Sequence, residues 1–212
     1  ADIACYASKN NGRGVVTVYE PQQERIHSAR GMMSLDEQWH MIKDNQLLMT
    51  GRSVASPRIP ESSNFWLISL RLWTSQGDVV EEQAFRSGLM EPDLLHALDR
   101  RIFQTFFRTF ATQVATKGMG VALPLSAEGL SSTTLVSELL DLLEKSPLQG
   151  RLLHLVIPVE TLQNQDVHIQ NGLQKLRLAG CRIVLCHVGR NMDVFNHLTP
   201  HMADYLLLDP EL

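Results

Sequence analysis

The tightest grouping of reactive side chains in this sequence is Cys186-His187, with His197 and His201 shortly downstream. A thiolate and imidazoles would suit a soft metal such as zinc or copper. Neighbouring residues of a strand point to opposite faces, however, so Cys186 and His187 do not converge. A core cysteine beside a surface histidine is the simpler reading. The three cysteines, Cys5, Cys181 and Cys186, are too few and too unevenly spaced for a disulfide framework, which fits a reducing setting. No G-x-G-x-x-G or P-loop follows an apolar run, so the common nucleotide-binding readings lose ground.

The charge pattern narrows the choice further. Formal net charge is −4 over 212 residues, and no stretch concentrates Lys and Arg. A nucleic-acid surface wants a basic stripe and is not expected. Apolar runs such as Tyr205 to Leu208 fall far short of the ~20 residues that span a bilayer, so this fragment should make no membrane contact. There is no signal peptide, and the opening Ala reads as a piece of something longer.

The elements that must position these residues follow from periodicity. Asp2 to Lys9 is helical in pattern, Asn10 to Gly14 is its turn, and Val15 to Tyr19 reads as a strand. Gln22 to Met33 is polar and reads as a linker. Ser34 with Glu37 forms a capping box, starting a helix near Leu35 that runs to about Asp44. Strands are then expected at Leu47 to Val54, Phe65 to Trp73, Val121 to Leu125, Leu152 to Ile157, Arg182 to Val188 and Tyr205 to Leu208. Several are continuous apolar runs, as strands covered on both faces should be.

Helices are expected between them. The strongest runs from about Pro92 to Thr116, with Phe103 to Phe110 on its buried face. The others are Thr133 to Lys145, Val167 to Ala179 with Gly180 as C-cap, and Met192 to Leu198. Trp66 and Trp73 flank a strand and read as packing residues. This alternation predicts an α/β fold with a mainly parallel sheet, either a barrel or an open doubly wound sheet.

Two stretches carry a resemblance. Ala1 to Lys9, Gly12-Arg13 and Val15 to Pro21 resemble the last helix and strand of a GGDEF diguanylate cyclase domain. From about Leu35 to Leu212 the chain resembles an EAL domain, the cyclic-di-GMP phosphodiesterase fold. The landmarks are Leu70-Arg71, Leu98-Asp99-Arg100, Leu123 to Ser126, Leu176 to Leu185, Gly189, and Ala203 to Asp209. The wording is similar to the C-terminal part of a membrane-anchored enterobacterial diguanylate cyclase ending in a degenerate EAL domain. The resemblance implies a GGDEF remnant over residues 1–22, a linker over 23–34, and an EAL domain over 35–212 that stops before its last strands. It implies a TIM-like barrel left open on one side, with apolar strand and helix surface uncovered.

The same resemblance implies a site and, with it, a loss. The family uses two divalent cations, usually magnesium or manganese, which want oxygen ligands. Its signature glutamate falls on Leu67, its asparagine on Pro124 and its next glutamate on Val156. The Asp-Asp pair falls on Cys186 and His187, and the water-orienting lysine on Leu207. Glu160 lies near a second family glutamate, yet no one-residue shift restores the set. The Phe-Gly-Thr-Gly segment is Val188-Gly189-Arg190-Asn191 here, and the stretch from Phe85 to Gly88 is shortened. No magnesium or manganese cofactor is therefore expected.

Arg71 matches an arginine that contacts the dinucleotide, and Asp209 an aspartate after the lysine position. Asp99 and Arg100 read as a structural pair at the base of the barrel, and Lys9 and Arg13 as solvated charges. Val194, Phe195 and Leu198 fit either a homodimer contact or ordinary core. The expectation is a non-catalytic EAL module at the end of a diguanylate cyclase, docking to a protein partner or to its own GGDEF domain. The alternative is a cyclic-di-GMP receptor without hydrolysis, and an active phosphodiesterase ranks last. The resemblance places the domain in the cytoplasm, in an inner-membrane protein.

Overall fold

The computed structural model describes residues 40, 42, 47–54, 64–73, 79–82, 85, 92–163, 166–189 and 202–208. The expected GGDEF remnant, the linker, most of the helix from Leu35, the Met192 to Leu198 helix, Lys9, Arg13, Cys5, His197, His201 and Asp209 lie outside the described residues.

Long apolar stretches with β-branched residues build a seven-stranded sheet. The strands are β1 Leu47–Val54, β2 Phe65–Trp73, β3 Val79–Glu81, β4 Gly120–Pro124, β5 Leu153–Pro158, β6 Arg182–Val188 and β7 Tyr205–Leu208. Their order is β1-β2-β4-β5-β6-β7, and the pairings from β2 to β7 are parallel. β1 runs antiparallel along Phe65 to Leu72 of β2. On the other edge of β2, β4 pairs Phe65 to Leu67 and β3 pairs Arg71 to Trp73. The described strands thus form an open sheet with β1 and β7 at its edges. The sequence reading did not anticipate β3: three residues carry no periodicity, and pairing with β2 is what makes them a strand.

The helices are α1 Pro92–Thr109, α2 Ala111–Lys117, α3 Ala127–Ser131, α4 Thr133–Glu144 and α5 Val167–Leu178, with 3-10 turns at Gly150–Leu152 and Val159–Gln163. α1 and α2 replace the single helix expected from Pro92 to Thr116. The break falls at Phe110, which is 37% exposed and so leaves the buried stripe that Phe103 and Phe106 keep. Serine and aspartate caps open the later helices: Ser132 Oγ accepts from the Leu135 amide at 3.3 Å, and Asp166 Oδ1 from the His168 amide at 2.8 Å. Gly180 takes φ +89° and closes α5 as expected. Its amide donates to Arg177 O at 2.9 Å and the Cys181 amide to Leu176 O at 3.0 Å, the two bonds of a Schellman motif.

The helices cover one sheet face. Leu123, Leu155, Ile157, Ile183 and Leu185 point into that layer and join Leu98, Ile102, Phe103, Leu130, Leu139, Ile169 and Leu176 in one core. On β7, Leu206 and Leu208 lie 47% and 65% exposed. Trp66, expected as packing, is part exposed and lies over Gly51 of β1.

Candidate functional site

Residues two apart on a strand share a face, and register partners on neighbouring strands share it too. Leu67, Ala122, His154 and Arg182 form one such row, and Pro124, Val156, Val184 and Tyr205 the next. Pro158 and Cys186 follow. All lie on the face opposite the helices, which Arg71 and Leu207 share by alternation. The structure therefore brings Leu67, Arg71, Pro124, Val156, Cys186 and Leu207 together on one face. In parallel-stranded α/β barrels chemistry collects at the C-terminal strand ends, which here present Arg71, Pro124, Cys186 and Leu207.

The N-terminal end of this face is plugged by rings. Phe65 lies 4.8 Å from His154 and 5.1 Å from Tyr205, centroid to centroid, and His154 stacks on Tyr205 at 5.4 Å. Arg182 Nη1 donates to Tyr205 Oη at 2.8 Å. Burial, then the nearby Arg182 charge, lowers the His154 pKa to about 4, so the ring is neutral at pH 7. Burial likewise pushes the Cys181 thiol up to about 12. Neither Cys181 nor Cys186 is in a disulfide.

At the C-terminal end β6 carries a bulge. Leu185 pairs Leu206 and Val188 pairs Leu208, so Cys186 and His187 together oppose Leu207. His187 has φ +60°, a left-handed conformation unusual for a residue with a Cβ. The simple alternation expected at Cys186-His187 is thus interrupted, and His187 is exposed while Cys186 is half-buried.

Arg71 is the one arginine or lysine among the described residues at the C-terminal ends of these strands. Its Nε lies 2.9 Å from Glu81 Oε1 of β3, the residue directly opposite in register. Glu82 turns the other way, and its Oε2 accepts from the Leu70 amide at 3.0 Å, in the gap between the β4 and β3 pairings. Sequence reading named Arg71 and missed both glutamates, because their position depends on β3.

Asp99 and Arg100, expected to pair, have separate partners. Asp99 accepts from Ser126 at the start of α3, while Arg100 makes a two-point contact with Glu138 of α4, at 2.7 and 3.0 Å. Consecutive helical residues point about 100° apart, which directs the two side chains to different neighbours.

Comparison with known proteins names this architecture. The EAL domain family matches residues 68–212, more than half of the sequence. The chain belongs to the EAL domain family. It is 61% identical over its full 212 residues to "Probable diguanylate cyclase DgcE" of Escherichia coli strain K12, and spans 19% of that protein's length. The EAL domain of FimX from Pseudomonas aeruginosa, solved bound to c-di-GMP, is 19% identical with a TM-score of 0.69, covering 84% of this chain and 71% of that one. The S helix-GGDEF-EAL region of Vibrio cholerae LapD, also bound to c-di-GMP, is 16% identical with a TM-score of 0.64, covering 98% and 50%. At these identities the two structures speak for the EAL fold alone.

The two-cation chemistry that the resemblance implies fits this EAL face poorly. Leu67, Pro124, Val156 and Leu207 carry no side-chain oxygen, and Cys186 and His187 favour softer metals. Among the described residues no group of three or more His, Cys, Asp or Glu could hold a metal ion. No described helix is long and apolar enough to cross a membrane.

Proposed function

We propose that this EAL domain is a non-catalytic regulatory module at the end of a cyclic-di-GMP signalling protein that is a diguanylate cyclase. The observation that carries this reading is the apolar set Leu67, Pro124, Val156 and Leu207, spread over four strands of the face where hydrolysis would need carboxylates. The framework around it is fully packed, with Leu123, Leu155, Ile157, Ile183 and Leu185 buried. A domain that keeps its core while the family's ligand positions Leu67, Pro124, Val156 and Leu207 carry no oxygen works by docking, to its own GGDEF domain or to another signalling protein. The test is hydrolysis of cyclic-di-GMP by the full chain with magnesium and then manganese. No turnover above the protein-free rate is expected, and metal-dependent turnover at rates ordinary for enzymes would overturn the reading.

A second reading is supported by Arg71, which keeps a cation at the strand ends of this face. In it the domain binds cyclic-di-GMP without cleaving it; the FimX and LapD structures above were solved with c-di-GMP bound. Calorimetric titration of the dinucleotide into the full chain separates the two: heat that Arg71→Ala abolishes supports the receptor, and no heat from folded protein leaves docking.

A further inference from the structure

The cation that would greet an anionic ligand is already engaged. Arg71 and Glu81 face each other across β2 and β3, with Nε 2.9 Å from Oε1 and the side chains 30% and 44% exposed. The contact is close without being well directed: Nε is shielded from solvent and no acceptor aligns with its N–H. A guanidinium binds best when two parallel N–H groups meet two oxygens, a geometry that phosphate offers readily. Arg71 is therefore held by a partner that a better-aligned oxyanion can displace. Glu82 lies next along the chain and puts a second carboxylate beside the strand. Among the described residues, the Glu81 carboxylate beside Arg71 offsets its charge and disfavours approach of an anion.

We propose that Glu81 is an internal competitor for Arg71, so that a phosphodiester reaches this face only by displacing the Glu81 carboxylate. The inference rests on the receptor reading above and adds a residue that tunes it. Glu81 lowers the affinity of the face and makes it depend on whether β3 stays paired to β2. Anything that peels β3 away frees the arginine.

The test is calorimetric titration of cyclic-di-GMP into the full chain as wild type, Glu81→Gln, Arg71→Ala and the double variant, each checked for folding by circular dichroism. Glu81→Gln keeps the size of the side chain and removes its charge. It should tighten binding by up to about fivefold, the ceiling for a part-exposed ion pair, and the gain should vanish in the double variant. Measurable wild-type binding that Glu81→Gln leaves unchanged or weakens overturns the competitor and leaves the receptor standing. A gain that persists without Arg71 overturns it as well. No heat from any of the folded proteins overturns both the competitor and the receptor.

Discussion

Asp99 in α1 and Ser126 at the start of α3 are joined through one oxygen. Asp99 Oδ2 accepts from the Ser126 amide at 3.1 Å and from its hydroxyl at 2.5 Å, and the Ser126 hydroxyl oxygen accepts from the Gly129 amide at 2.9 Å. Asp99 is wholly buried. A five-residue helix has little stability of its own, so α3 depends on this relay for its first turn. Asp99→Ala should cost about 3 kcal/mol, since it leaves the buried Ser126 donors without their acceptor. Asp99→Asn, which keeps the shape, should cost less, as read from urea unfolding midpoints.

Gly129 belongs to the same relay. A Cβ placed there would come against Asp99 Oδ2 at far less than contact distance. Gly129→Ala should destabilise by about 2 kcal/mol by displacing the carboxylate. Combined with Asp99→Ala, the loss should fall short of the sum, because the second change vacates the space the methyl needs. Additive losses in a double-mutant cycle would separate the two sites.

His154 gives a pH dependence of definite sign. Its pKa falls from 6.5 unfolded to about 4 folded, through burial and the nearby Arg182, opposed in part by Asp204. The unfolded chain therefore takes up the proton first as pH falls. Its contribution is complete above pH 6.5 and lost progressively down to about pH 4, by up to about 3 kcal/mol. His154→Phe keeps a ring against Phe65 and Tyr205, and should flatten that part of the stability profile.

The described cysteines should differ in reactivity. Cys181 is buried with its thiol pushed up to about 12, while Cys186 is half-buried on the β6 bulge. Alkylation near neutral pH, followed by peptide mass spectrometry, should label Cys186 at least roughly tenfold faster. Equal rates would mean that the α5–β6 turn opens readily.

The strands were legible where the sequence holds an apolar run, even a short one as in Tyr205 to Leu208 or one followed by polar residues as in Leu47 to Val54. Leu47 to Val54, Phe65 to Trp73, Arg182 to Val188 and Tyr205 to Leu208 stand where their residue types place them. α3 was not, because Ala127 to Ser131 is too short to show a period and is held by Asp99 from another helix. The break at Phe110 hid for a similar reason, since its apolar side chain continues the stripe while its ring turns outward. In the candidate site the residue types could be read directly, and the face they share came from register. The Arg71–Glu81 pair could not be read, because it exists only once β3 lies against β2.

The apolar residues at Leu67, Pro124, Val156 and Leu207 also bear on how a metal site could arise on this face. A carboxylate introduced alone at Val156 would sit between its register partners Pro124 and Val184, both apolar, and would cost stability before it could bind anything. Building a floor for two hard cations there would call for several substitutions together, on four different strands. The Glu81 contact is different in kind: one substitution reaches it, so adjustment of this domain has an open path at β3.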